Sequence, residues 1–298
     1  MWFKRIGLFF LVNILIMVTI SITTSIFGVR GYISQYGINF TALLAFCFIC
    51  GMAGSIISLL LSKFMAKSMM GVELVTESGP YANLVRSVKR LSVSAGIKMP
   101  EVGIYHSPEI NAFATGPSRS NSLVAVSTGL LERMSAEEVE GVLAHEVSHI
   151  ANGDMVTLTL IQGIVNTFSM FLSRILSFFI TSFISKSDDD RGGGFNYMIN
   201  FVLVIVFDIA FSILGSIVVA YFSRLREFKA DAGGAKLAGR NSMISALQSL
   251  QKVYAEPEVD TSAAIASMKI SSHKGGWLAV FSTHPPLEDR ILALRQVR

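Results

Sequence analysis

Four stretches of this chain are apolar for longer than the roughly 20 residues a helix needs to cross a bilayer: Ile6 to Val29, Ile38 to Ser62, Met155 to Ser185 and Phe195 to Ser223. The first two carry no charge, the third carries only Arg174 and the fourth only Asp208. Charged residues make up 15% of the chain, against about 25% in soluble domains, so the apolar length points to membrane surface. Two alternatives stand beside this reading. The first stretch could be a cleaved signal peptide, but it exceeds the usual apolar region of about 7–15 residues and no small-residue cleavage pattern precedes Arg30. The last two could be buried helices of a soluble domain; the Gly-rich polar turn from Lys186 to Gly194 suits a helical hairpin in either case.

Charge placement sets the expected orientation. Lys4 and Arg5 precede the first stretch, Lys63 and Lys67 follow the second, and Arg224 and Arg226 follow the fourth. The positive-inside rule then puts both termini and the segment between the second and third stretches in the cytoplasm. Reflection of the hairpin about Arg191 brings position 174 onto 208, so Arg174 and Asp208 are expected at one depth, either as an ion pair or with Arg174 snorkelling to an interface. The net charge of +4 and the absence of a basic cluster interleaved with aromatics disfavour nucleic acid as a partner. Cys47 and Cys50, the only cysteines, read as small apolar residues and not as a disulfide.

Between these stretches the sequence becomes ordinary. Pro80 to Ile97 reads as an amphipathic helix ending near Gly96. Glu101–Tyr105, Ala112–Thr115 and Leu123–Val126 have strand character between turn residues. Ser135-Ala-Glu-Glu138 is a capping box that opens a helix expected to run to about Gly153. Arg224–Leu237, Asn241–Tyr254 and Pro286–Leu294 read as helices, and 255–276 is weakly patterned. The expected architecture is α+β, a mostly helical domain with a small β-sheet plus four transmembrane helices: 1–62 as two membrane helices, 63–154 and 224–298 as halves of one cytoplasmic domain, and 155–223 as a membrane hairpin.

His145-Glu146-Val147-Ser148-His149 lies within the capped helix. One helical turn separates the two imidazoles, so they share a face and together suit one metal ion, with zinc the natural occupant of such a site. Glu146, turned about 100° from His145, suits a general base acting on water. A catalytic site needs a third protein ligand, and the position where a metzincin would place a third histidine is Met155. Glu227 is the best candidate, with Asp231 one turn on to orient a ligand histidine; the alternative makes both ordinary surface acids beside Arg224 and Arg226. His284, held before a helix by Pro285 and Pro286, is a candidate donor to an oxyanion. His106 and His273 carry no such pattern. About six residues separate His149 from the third stretch, under roughly 10 Å if helical, which brings the site close to a membrane surface.

Taken together, the block from His145 to Asp154, the Ser223-Arg-x-x-Glu-x-x-Ala-Asp231 block, the His284-Pro-Pro286 turn and Asn111-Ala-Phe-Ala-Thr-Gly116 resemble the HtpX family of bacterial membrane metalloproteases over essentially the whole chain. The resemblance implies an inner-membrane endopeptidase with one zinc per chain, self-cleaving, active in the quality control of damaged membrane proteins under stress and in possible concert with other membrane proteases. It supports Glu227 as a ligand and His284 near the oxyanion. It also implies that Asn111, Ala112, Phe113 and Ala114 begin an edge strand that receives extended substrate, a mode that reads backbone more than side chains. A CAAX prenyl protease is the chief enzymatic rival, disfavoured by the number of spans. A scaffold with a purely structural zinc is the non-enzymatic one, disfavoured because structural sites are usually cysteine-rich.

Overall fold

The computed structural model describes residues 33–34, 37–186, 193–255 and 281–296. They divide into two compact units: one contains the described residues up to Ser58 together with Thr159–Val219, the other Leu59–Leu158 together with the described residues from Ala220 onward.

The first unit holds the larger part of three helices, α1 (Phe40–Met70) up to Ser58, α5 (Asp154–Lys186) from Thr159 and α6 (Gly193–Ala238) up to Val219, preceded by a short hairpin of β1 (Ile33–Ser34) and β2 (Gly37–Ile38); the remaining ends of the three helices belong to the second unit. These three are the helices long and apolar enough to cross a membrane among the described residues. Of the four expected spans, then, three are present as such; the stretch Ile6–Val29 lies outside the described residues, as do residues 187–192, 256–280 and His273. The helices meet at small side chains. A Cβ on Gly51 would lie 2.6 Å from Thr167 Oγ1 and 2.9 Å from the Gly163 carbonyl, and one on Gly215 2.4 Å from Val165 Cγ1. Lipid tails are as apolar as leucine, so such close backbone approach supplies the contact that burial cannot. Arg174 and Asp208 do pair, Nη1 to Oδ1 at 3.6 Å. Cys47 and Cys50 are buried free thiols.

The second unit wraps helices around a four-stranded sheet of order β3-β4-β6-β5. β4 (Glu101–Tyr105) runs parallel to β6 (Asn121–Ser127), while β3 (Glu73–Leu74) and β5 (Ala112–Ser118) lie antiparallel at the two edges. β6 is buried from Ser122 to Ser127, because a central strand covered on both faces reads as a continuous apolar run. One face receives the core: Val88 and Leu91 of α2 (Ala82–Ser94), Leu143 and Val147 of α4 (Ala136–Asn152), Leu247 and Leu250 of α7 (Arg240–Ala255), and Ile291 and Leu294 of α8 (Leu287–Gln296). Each such side chain contributes about 1.5–3 kcal/mol on full burial. A short helix, α3 (Thr128–Arg133), follows β6, with Ser127 as its cap.

Two elements run longer than their sequence suggests. α1 continues past Ser62, so Lys63 and Lys67 are helical. They bind Glu101 at 3.0 and 2.5 Å, and Lys63 also donates to Asn121 Oδ1 at 2.7 Å, tying the end of α1 to the first residues of β4 and β6. Nor does a new helix start at Arg224: α6 is continuous, since no glycine or proline interrupts Ala220 to Glu227, and Ser223 Oγ accepts from the Arg226 guanidinium at 3.2 Å.

Candidate active site

α4 is fixed at both ends. Ser135 Oγ accepts from the Glu138 amide at 3.4 Å, and Glu138 Oε2 accepts in return from the Ser135 amide at 2.8 Å. At the other end Gly153 takes φ 73°, a left-handed conformation that glycine adopts without a Cβ penalty, and its N–H reaches back to the last turn. The helix thus stops at Gly153 and Asp154 opens α5 at once. Between these ends His145, Glu146, Val147 and Ser148 are all buried.

α6 crosses α4 closely. A Cβ on Gly234 would lie 3.1 Å from the His145 amide nitrogen, and one on Gly233 1.9 Å from Ser148 Oγ. This approach presents Glu227 and Asp231, each 2% exposed, to the two histidines. His149 Nε2 lies 3.3 Å from Glu227 Oε1, His145 Nε2 lies 3.5 Å from Glu227 Oε2, and the two Nε2 atoms are 3.1 Å apart. The outer nitrogens are each held by a carboxylate. His149 Nδ1–H donates to Asp154 Oδ2 at 2.7 Å, and His145 Nδ1 lies 2.9 Å from Asp231 Oδ1. A carboxylate only accepts, so a proton is drawn to each Nδ1, and Nε2 is the nitrogen of each ring that faces Glu227.

Two imidazole nitrogens and a carboxylate oxygen, all within 4.8 Å of one another, form a group able to hold a metal ion. Its chemistry fits the borderline-soft divalent ion zinc, and Glu227 Oε2 is buried without a hydrogen-bond partner among the described residues. Burial and mutual repulsion disfavour charge on His145, but Asp231 and Glu227 outweigh them and raise its pKa. Burial likewise opposes charge on His149, yet Asp154, Glu227 and Glu146 bring it to about 10. The excess of carboxylate that holds protons on these rings equally attracts a divalent cation.

Glu146 is 5% exposed, and its charge acts on His149 and Arg290. His284 Nδ1 stands 2.9 Å from Glu227 Oε2, and the Ser282 hydroxyl donates to the His284 carbonyl. Asn111 and Ala112 are buried, Phe113 and Ala114 half-buried. The strand begins at Ala112 and extends to Ser118, at the edge of the sheet; Asn111 pairs with Ser127 just before it, its carbonyl accepting from the Ser127 amide at 2.9 Å. His106 is exposed.

Two residues of this cluster escape sequence reasoning. Asp154 stands in the quoted motif, but nothing local says it turns back to His149. Arg290, 1% exposed, forms a two-pronged contact with Asp231, Nη2 to Oδ1 at 2.6 Å and Nε to Oδ2 at 2.8 Å, and reaches within 3.5 Å of Glu227. Its only sequence signal is a cation on the buried face of α8.

A model of Peptidase family M48 matches residues 80–298. The chain is 46% identical over 300 residues to a Protease HtpX homolog of Methylacidiphilum infernorum (isolate V4), covering 99% of each. It is 51% identical over 302 residues to a Protease HtpX homolog of Bacillus pumilus (strain SAFR-032), covering 98% of each. Among solved structures, the crystal structure of S. mikatae Ste24p matches with a TM-score of 0.64 at 18% identity, a likeness of fold. That match covers 98% of this chain and 64% of the other, so the chain spans under two thirds of that protein.

Proposed function

This chain belongs to peptidase family M48 and is a membrane metalloprotease, and we propose that it is a zinc endopeptidase of the bacterial inner membrane that cleaves misfolded or damaged membrane proteins and itself. In this reading 1–62 and 155–223 anchor the chain, while 63–154 and 224–298 make one catalytic domain, on the cytoplasmic side together with both termini. The basic residues Lys4, Arg5, Arg224 and Arg226 support that orientation.

His145, His149 and Glu227 would hold the zinc. The observation that carries the proposal is the opposed anchoring of the two imidazoles, Nδ1 atoms towards Asp231 and Asp154 and Nε2 atoms towards Glu227. When bound, zinc would supply Lewis acidity, polarising the scissile carbonyl and making water acidic enough to ionise near neutrality. Glu146 removes the proton of the attacking water and passes it to the leaving amine. Asp231 and Asp154 keep the histidines in the tautomer and orientation that ligation requires. His284 donates to the oxyanion as it develops. Asn111, Ala112, Phe113 and Ala114, at the start of the edge strand, align an extended segment through backbone hydrogen bonds, which suits loose sequence preference. Membrane-protein substrates are the partners this chemistry fits; cooperation with other membrane proteases rests on the family resemblance alone.

The test is hydrolysis of an unfolded protein by the purified wild type beside Glu146→Gln, with zinc content measured for wild type and Glu227→Ala. Cleavage by wild type alone, and zinc lost from Glu227→Ala, are expected. Undiminished hydrolysis by Glu146→Gln, or a full zinc complement in Glu227→Ala, defeats the proposal. Cleavage confined to a prenylated peptide would favour the prenyl-protease alternative.

A further inference from the structure

Asp208 is an acid within a helix of membrane length, and only part of its capacity is used among the described residues. Its carboxylate accepts from the Ser173 hydroxyl and lies 3.6 Å from Arg174 Nη1. Arg174 divides its own contacts, donating to the Met170 carbonyl at 3.0 Å and lying 5.8 Å over the ring of Phe46. The Asp208 side chain remains 34% exposed, against 17% for Arg174. On that open side Asp208, Ser212 and Ser216, each one turn from the last, line an open cleft of about 420 Å³ flanked by Ile209 and Ile213. Ser216 donates back to the Ile213 carbonyl at 2.7 Å. Ile205, Ile209 and Ile213 make the surrounding surface apolar and exposed.

A carboxylate at this depth is costly unless it is paired or hydrogen-bonded. Acyl chains offer it no donor. A second copy meeting the same face would bring a second carboxylate against the first. A helix carrying a hydrogen-bond donor satisfies it, and because Arg174 already balances the charge of Asp208, a neutral amide suits the cleft best. Properly assembled membrane proteins bury such side chains between their own helices, whereas orphaned or misassembled ones leave them unpaired. Resting on the membrane-protease reading above, we propose that the Asp208–Ser212–Ser216 face docks a transmembrane helix of the substrate that bears an unpaired donor, such as an asparagine amide, at matching depth.

The test places a photo-crosslinking residue at Ile213 of the full-length Glu146→Gln chain in vesicles of phosphatidylcholine and phosphatidylglycerol. The probes are single-span polyleucine helices with Leu, Asn or Asp at the centre. The Asn helix should crosslink about five-fold more than the Leu helix, the factor expected of one interhelical polar contact, and the Asp helix no more than Leu. Ser212→Leu, which leaves the ion pair intact, and the double change Arg174→Leu with Asp208→Leu, which orphans no charge, should each abolish the preference with thermal unfolding retained. Equal capture of Asn and Leu helices, a preference that survives either variant, or crosslinks running only to residues 6–29 or to a second copy overturns the docking site. Cleavage of an unfolded soluble protein by wild type reads the protease assignment separately. Cleavage without Asn preference removes the docking site alone, whereas Asn preference without cleavage removes the protease reading and, with it, the docked helix's role as substrate.

Discussion

Arg290 and Asp231 form a buried two-pronged ion pair, at 2.6 and 2.8 Å, directly behind His145. Asp231 is the side chain that holds His145 Nδ1 at 2.9 Å, so the guanidinium fixes the carboxylate and the carboxylate fixes the ring. Burial disfavours the charge on Arg290, yet Asp231, Glu227 and Glu146 together raise its pKa. The pair links α8, near the end of the chain, to α4 and α6.

Arg290→Ala therefore leaves Asp231 as an uncompensated buried charge, and a loss of about 3–5 kcal/mol is expected. Arg290→Lys should recover little, because an ammonium cannot reproduce the planar fork. Thermal unfolding in detergent, with zinc retention on the same samples, checks both. A lysine variant matching wild type in both would show that the fork is dispensable.

Asp154 holds His149 at 2.7 Å and so governs which way that ring turns. Asp154→Ala is expected to weaken zinc about 10–100-fold, as loss of a carboxylate behind a ligand histidine does. Competition against a chelator measures it, and unchanged affinity refutes the orienting role.

Gly233 and Gly234 allow α6 to approach α4. Alanine at 234 places a methyl 3.1 Å from the His145 amide nitrogen, which is backbone and cannot swing aside. Gly234→Ala should destabilise the fold by about 1–3 kcal/mol. At 233 the obstacle is the Ser148 hydroxyl at 1.9 Å. Adding Ser148→Ala to Gly233→Ala should thus restore part of the lost stability, whereas at 234 a change at Met243, whose Sδ lies 3.0 Å from the same point, would leave the backbone contact in place. A double-variant cycle on melting temperature resolves the difference.

Glu138 links the cap of α4 to α7. Burial works against its charge, but hydrogen bonds from the Ser135 amide and from Ser249 and Ser245 prevail and lower its pKa. A depressed carboxylate contributes stability that is present above its unfolded value, about 4.3, and lost as pH falls through its native value. Below pH of about 4.3 wild type should lose stability more steeply than Glu138→Gln. Above it the variant should be weaker by about 1 kcal/mol, a typical capping loss. Acid titration of the stability of both proteins checks this, and equal slopes below that pH would refute it.

What the residues determine by themselves is local. Uninterrupted apolar length makes α1, α5 and α6, and Ser135 with Gly153 bounds α4, because span length, capping and left-handed glycine are short-range matters. The turn between His145 and His149 puts two imidazoles on one face wherever the helix goes. Glu227, Asp231 and His284 were identifiable as candidates by what such a pair lacks, and the family resemblance narrowed them. Tertiary structure alone decided that Asp154 turns back on His149, that Arg290 braces Asp231, that His284 stands against Glu227, and that α6 runs unbroken through Arg224. Those contacts join residues up to 59 positions apart. They depend on how closely α4, α6 and α8 pack, and a buried charge is tolerated only where that packing brings its partner.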